Sequence, residues 1–456
     1  MSINLTKPLD DTVISNVEKH FLRGLQANIL KGHGREHIAL LFLEIADQAK
    51  ALAFLHAYPV TDAFTQLEET KLFKETRAPG GVVRLVFFTK AGLDALGHGA
   101  PFAGFGAFAS GMAADAGVLD GGSNGSWQAQ LKQPAHVLLL IAYHDEATLA
   151  RMVGKLVEDF AADDAPFKTL LVQEGRAYKN SDGEGIEHFG YVDGRSQPLM
   201  MKSDIEREAN GGGGIGQHDP TAPLGQFILA DPLGGDGFGS FLVFRKLEQD
   251  VAGFKAAERH LAATLSLAGD DRERAGAQIV GRFEDGTPLT LGNAEGGVPV
   301  RNDFNYGADA NASRCPFQGH IRKTHPRGSS PGGLAFDNTV QMARRGITYG
   351  HRLQDPDTKE LIDQPNDGVG LLFMSYQASI ENQFHFMQTQ WANNEGFPSA
   401  GVGIDPVIGQ VGTLGQRWFP TFGSTASPQS EHVGGFVKLK GGDYFFAPSI
   451  SGLRSL

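Results

Sequence analysis

The sequence predicts a two-lobed protein of alternating strands and helices. It is either a parallel α/β sheet covered on both faces or two α+β sandwiches with helices on one face. Three observations carry this. An apolar run, a polar break and a helix-period stretch follow one another repeatedly along 456 residues. Three such units precede Gly190 and at least two follow Gly214. The chain is also long enough for two or three domains with their own cores, and its most reactive-looking segment begins near residue 190, at the join, where ligands commonly bind.

Taken in order, residues 1–35 read as an arm laid on the body. A strand over 38–45 leads into a helix over 46–56, and a strand over 82–89 into a helix over 91–96. A strand over 136–143 precedes a helix over 146–160, whose Asp145-Glu146 start places negative charge at the N-terminus. After the join, a strand over 241–244 leads to a helix over 247–265. A strand over 370–376 then leads to a helix over 379–393, with Ser379 as its candidate N-cap. The 60 glycines cluster in loops such as 211–214 and 234–239 without a fixed repeat, which excludes a collagen-like chain. The 211–214 run follows charged residues, not a buried strand, so it reads as a mobile loop and not as a phosphate cradle. No Gly-x-Gly-x-x-Gly turn follows the first strand, which weakens dinucleotide binding.

Forty basic against 52 acidic residues give a net charge of −12, which opposes nucleic-acid binding and suits cationic substrates. Cys315 is the sole cysteine, so no intrachain disulfide forms and nothing argues for secretion. The first residues lack a basic stretch followed by an apolar one, and no apolar run approaches the roughly 20 residues of a membrane span. The expected location is cytoplasmic, with no membrane partner.

Three segments carry the chemistry. In Gly190-Tyr191-Val192-Asp193-Gly194 the glycines let backbone approach a flat ligand, and Asp193 is a candidate proton carrier. Taken alone, the same Asp-Gly pair is an ordinary turn. In Arg314-Cys315-Pro316-Phe317-Gln318-Gly319-His320-Ile321-Arg322-Lys323, His320 is a candidate iron ligand. Arg322, Lys323 and Arg327 supply cations for carboxylates near it. The plainer reading of that basic run is a solvated loop. His320 with His325 is also a conceivable zinc pair, though no His-Glu-x-x-His or Cys-x-x-Cys accompanies it. In Arg344-Arg345-Gly346-Ile347-Thr348-Tyr349-Gly350 a permanently charged guanidinium can stabilise a leaving hydroxide. Adjacent side chains diverge, so only one of the two arginines reaches the site.

Together these segments, in this order, resemble the dye-decolourising peroxidase family over nearly the whole chain, in the branch with fungal and larger bacterial members. Gln26-Ala27-Asn28-Ile29-Leu30-Lys31-Gly32, Gly239-Ser240-Phe241-Leu242-Val243-Phe244-Arg245 and Gly370-Leu371-Leu372-Phe373 are similar too. The resemblance implies an α+β fold of two ferredoxin-like halves, each an antiparallel sheet with flanking helices, at 36–190 and 191–456. One haem b per chain would lie in the C-terminal half. It implies peroxide-driven oxidation of dyes, phenols and aromatic amines through a high-valent iron intermediate. Asp193 becomes the distal acid, Arg344 the distal arginine and His320 the proximal ligand, with Asp405 as partner of the far imidazole nitrogen. Gly194, Arg322, Leu371 and Phe373 would line the haem. Gly346 stands where other branches carry a distal asparagine, and His325 where family members often carry asparagine.

Trp391 and Tyr349 are candidate electron-transfer residues, though Trp391 shares a helical stripe with Ile380, Phe384 and Met387 and so also reads as core. Asp355/Asp357 and Asp363/Asp367 are candidate Mn(II) ligands, or simply a solvated acidic loop. The competing functions are a haem carrier with little turnover, which would need neither Asp193 nor Arg344, and a phosphate- or metal-binding hydrolase. The oligomeric state is not legible. An acid in place of a histidine base predicts dye oxidation fastest in the acidic range. A carboxylate near about 3.9 still accepts protons where an imidazole near about 6.5 is already charged. A pH–rate profile peaking near neutrality for every dye would contradict it.

Overall fold

The computed structural model describes residues 3–456 apart from 123, 212, 297–301 and 411. Four strands of the main sheet, β1 (His37–Ile45), β2 (Val83–Phe88), β3 (Val137–Tyr143) and β4 (Phe167–Arg176), precede residue 190. Four more follow it: β5 (Phe238–Gln249), β6 (Ile347–Tyr349), β7 (Gly370–Gln377) and β8 (Val437–Ala447). They form one sheet in the order β6-β7-β5-β8-β2-β3-β1-β4, joined by the short strands Leu229–Ala230 and Ala343–Arg344. Every ladder in it is antiparallel, which makes the protein α+β and removes the parallel alternative. The sequence left that choice open because strands buried on both faces are apolar throughout, as parallel strands are. In β1 the six residues from Ile38 to Leu43 are all buried.

β8 meets β2 at the single pair Phe446 and Phe88. At the far edges the sheet curls back on itself. Thr348 Oγ1 donates to Arg176 O, and a Cβ on Gly175 would lie 2.8 Å from Ile347 and 3.0 Å from Ile38. Side chains alternate about the curled sheet. Leu40, Phe42, Leu85, Phe87, Leu140, Phe244 and Tyr376 point inward. Leu41, Val86, Phe88, Leu139, Val243 and Phe446 point outward against the helices.

The N-terminal segment is not laid on the surface. Leu22, Leu25, Ala27 and Ile29 belong to the inner core, and Gln26 Nε2 donates to Val86 O at 2.9 Å and Pro448 O at 3.0 Å. The helix Glu146–Phe160 starts at Asp145, which accepts the Thr148 N–H, and buries Leu149, Val153 and Phe160. The helix expected over 247–265 is Val251–Thr264, because β5 continues to Gln249. The last expected helix consists of two wide turns, Glu381–His385 and Met387–Ala392, a form common at functional sites. Of the glycine run, residue 212 lies outside the described residues, and Gly211 ends the helix Lys202–Gly211.

Closure at Gly175 leaves no room for a side chain. Gly175→Val should lower stability by about 1–3 kcal/mol through overpacking, read as a fall in the denaturant midpoint. An unchanged midpoint would mean that the two edges do not meet.

Candidate functional site

One cavity of about 320 Å³ is bordered by Asp193, Gly194, His320, Arg344, Leu371 and Phe373. The fold thus brings together residues spread over 180 positions of sequence. Leu371 and Phe373 alternate on β7, and Leu247 faces Leu371 across the ladder, so this sheet face lays three apolar side chains along the cavity. Beside them Arg245 faces Phe373 and pairs with Asp120. Gly190 and Gly194, at φ +102° and +81°, give the loop its left-handed turns. Asp193 is held through its backbone N–H to Gly185 O at 2.9 Å and accepts the Gly194 N–H at 2.6 Å.

Arg344 and Arg345 diverge. Arg344 borders the cavity, its N–H donating to Gln197 Oε1 at 3.1 Å and its Nη2 to Arg195 O at 2.8 Å. Arg345 turns away and donates to the carbonyls of Asn28 at 3.0 Å and Ile29 at 3.1 Å. It fastens the N-terminal segment.

His320 opens the short helix His320–Thr324. Its Nδ1 lies 2.8 Å from Asp405 Oδ2, and Asp405 is wholly buried. The other carboxylate oxygen accepts the N–H groups of Val407 at 2.8 Å and Ile408 at 2.9 Å. A carboxylate so held accepts a hydrogen bond from Nδ1–H and leaves Nε2 with its lone pair free, the state a metal-binding imidazole needs.

Arg322 requires a correction. It was expected at the haem, but it is 1% exposed and is not among the cavity's lining residues. Its guanidinium pairs with Asp309 at 2.8 Å, donates to Cys315 O at 2.7 Å, and lies 4.3 Å from the Tyr306 ring centroid. Lys323 is likewise structural, donating to the carbonyls of Asn394, Phe397 and Gly403 at 2.7–2.9 Å. Of the cations that border the cavity besides Arg344, Arg195 and Arg245 pair with the carboxylates of Glu184 and Asp120, whereas Arg327 and Arg282 have no carboxylate partner among the described residues. Both donate to Ser196 Oγ and Asn302 Oδ1, at 2.6 and 2.7 Å from Arg327 and at 3.2 and 3.3 Å from Arg282. Burial pushes them down to about 9 and about 10. Their hydrogen-bond partners among the described residues are neutral oxygens, an arrangement that favours an anion beside the two buried positive charges. That fits the two propionates of a haem, and the apolar walls and the anchored imidazole fit the rest of it. Arg282 was missed because it stands alone in sequence, with no motif about it.

His325 also borders the cavity, with Nε2 3.0 Å from the Gln341 amide nitrogen. Burial and the nearby arginines hold it well below the ordinary histidine value. Its partner is thus separate from that of His320. Trp391 is 2% exposed, stacked on Phe397 and covered by Phe336 and Phe386. Asp355 is occupied by the turn N–H groups of Asp357 and Thr358, and Asp363 by Arg352 at 2.8 Å. Among the described residues no group of three or more histidine, cysteine or acidic side chains is placed to hold a metal ion.

Arg322→Met should therefore leave the haem spectrum intact while costing about 3–5 kcal/mol, since Asp309 is left as an uncompensated buried charge. A shifted Soret band with unchanged stability would restore Arg322 to the haem.

No family model matches the chain. It is 41% identical over 472 aligned residues, covering all of both chains, to the multifunctional dye peroxidase DyP2 of Amycolatopsis sp.. It is 30% identical to a dye-decolorizing peroxidase of Exidia glandulosa, covering 94% of this chain and 85% of that one. The solved DyP2 structure superposes with a TM-score of 0.94 over 100% of both chains at 40% identity. A DyP-type peroxidase of Anabaena sp. superposes at 0.89 and 34% identity, over 99% of this chain and 98% of that one. The chain belongs to the dye-decolourising peroxidases, haem b enzymes that use hydrogen peroxide to oxidise dyes and phenols.

Proposed function

We propose that His320 holds the haem iron through Nε2, that Arg282 and Arg327 take the propionates, and that Asp193 and Arg344 cleave the peroxide. The observation that carries this is the convergence on one cavity of an Asp405-anchored imidazole, an acid and a guanidinium with no carboxylate partner among the described residues. When bound, the haem supplies the redox centre that accepts the oxidising equivalents of peroxide. The chain's part is proton and charge management. Asp193 takes the proton from one peroxide oxygen and returns it to the other, so that water leaves. Arg344, fixed by Arg195 O and Gln197, stabilises the negative charge that develops on the departing oxygen. Leu371, Phe373 and Leu247 keep water from the wall.

Bulky reductants would dock outside this cavity. A second hollow, of about 740 Å³, is bordered by Trp127, Gln128, Gln173, Lys246, Tyr349 and Lys440. Lys246 and Leu247 are neighbours on β5, so the hollow lies across the sheet from the haem cavity. Tyr349 is buried there with an unpartnered hydroxyl and Lys246 Nζ 4.7 Å from its ring centroid. This supports Tyr349 as the electron relay, in preference to Trp391, which Phe336 seals. It favours aromatic reductants over Mn(II) at Asp355/Asp357 or Asp363/Asp367, where Asp355 Oδ1 holds turn N–H groups and Asp363 Oδ1 holds Arg352. The contiguous strands before and after residue 190 support two ferredoxin-like halves at 36–190 and 191–456. The lone buried Cys315 suits a reducing, cytoplasmic setting.

Arg344→Leu should keep haem yet slow the peroxide-induced Soret change by about 10²–10³-fold in stopped flow. Arg345→Leu should lower stability and leave that rate intact. The reverse pattern would exchange their roles.

A further inference from the structure

Beside Asp193 the cavity is bordered by two further acids, Asp120, which pairs with Arg245, and Glu187, for which the chemistry above has no use. Its Oε2 accepts the Phe189 N–H at 2.9 Å and the Gln249 amide N–H at 2.6 Å. Its Oε1 accepts the Tyr191 N–H at 3.1 Å. The Glu187 N–H donates to Tyr191 O at 3.1 Å, and the Gly190 N–H returns to Glu187 O at 2.9 Å. The carboxyl thus closes the turn from which Asp193 emerges two residues later. Asp193 itself has little holding its side chain beyond the adjacent Gly194 N–H.

The nearby cations are taken. Lys255 pairs with Glu258 and Glu284, Arg195 with Glu184, and Arg352 with Asp363. The titratable groups about Glu187 are Asp193 and Tyr191 on its own loop, Lys255 and Glu258 on the helix Val251–Thr264, and Glu284 beyond the following helix. Acids outnumber the one lysine. Gln249, across from Glu187 on β5, is buried, and its Oε1 has no partner. A carboxylate cannot satisfy that acceptor. A neutral carboxyl can, if the amide is turned, and 2.6 Å suits O–H···O. Burial, reinforced by the Asp193 charge and opposed by the three N–H donors, pushes Glu187 up to about 7.

We propose that Glu187 is a positioning residue that works as the protonated partner of Asp193. Neutral, it closes the turn and leaves Asp193 the only charge there. Ionised, it repels Asp193 from the cavity and sets the alkaline limit of peroxide cleavage. The inference rests on Asp193 as proton carrier. The sign follows from linkage. A carboxyl whose folded value lies above its unfolded one contributes stability fully below about 4.5, and that contribution is lost as pH rises through about 7.

Three measurements on the haem-loaded enzyme test it. In wild type, infrared titration should show a protonated-carboxyl C=O band that disappears near pH 7. The peroxide-induced Soret change should slow about tenfold per pH unit above that same midpoint. Glu187→Gln should lack the band, move the alkaline limb up by at least one pH unit, and gain thermal stability over wild type at about pH 9 but not at about pH 4. Band and limb with different midpoints in wild type would overturn the proposal without recourse to a variant, as would an unmoved limb in Glu187→Gln. Asp193→Asn separates the two ideas. A wild-type peroxide rate in that variant removes Asp193 and this inference together. A slow Asp193→Asn beside an unmoved Glu187→Gln limb removes Glu187 alone.

Discussion

The buried carboxylate of Asp405 is the point from which the cavity is organised. One oxygen is spent on the N–H groups of Val407 and Ile408, which fixes the loop, and the other on His320 Nδ1. The Asp405 N–H donates to Ala392 O, tying that loop to the wide-turned helix that carries Trp391. Lys323, three residues past His320, gathers the carbonyls of residues 394, 397 and 403 from the same two segments. The short helix that bears His320 could not hold a ring in place by itself, with a single turn and no side-chain cap. Its orientation comes from these tertiary bonds. A buried acid in low dielectric keeps the imidazole's proton on Nδ1, so the same contact that positions the ring also decides which nitrogen is free.

Arg282 and Arg327 are buried with no carboxylate partner among the described residues, their charge dispersed over Ser196, Asn302 and neighbouring carbonyls. That is costly for a protein without ligand and favourable once two carboxylates arrive, which makes the cofactor part of the stability of the fold. Glu187 and Asp193 border the same cavity on a loop whose Arg195 is paired with Glu184. Leu247, Leu371 and Phe373 add apolar surface. The cavity therefore combines cations suited to holding anions with acids suited to moving protons.

Local signals in the sequence were read well, and global ones were not. The helix over 146–160 was legible to the residue, because Asp145 caps it and its apolar stripe is regular. β4 escaped notice because its partly buried residues mix lysine, glutamine and glutamate among the apolar ones. β8 escaped because Gly441 and Gly442 interrupt it where the ladder shifts register. The helix Ala63–Thr76 escaped as well, having almost no apolar asymmetry around its axis. In the site, Asp193, His320 and Arg344, which border one cavity, were legible since each stands in a short sequence motif. Arg282 was not, since everything that gives it meaning is distant in sequence. Arg322 misled for the opposite reason. It is two residues from His320, yet it faces Asp309 and Tyr306 and not the cavity.

That contrast has a geometric origin. In extended chain, adjacent side chains leave on opposite sides. Arg344 goes to the cavity and Arg345 to the N-terminal segment, so two identical residues do unrelated work. The same alternation sends Leu247 to the cavity and Lys246 to the second hollow, beside Tyr349 on the inward face of the curled sheet. A single layer of sheet therefore separates the compartment where peroxide would be cleaved from the surface where large aromatics would dock. The segment from Arg344 to Tyr349 runs from one to the other. An antiparallel sheet suits this task because its backbone is fully hydrogen-bonded. It excludes water and substrate from one side while remaining one strand thick, which an electron can cross and a dye cannot.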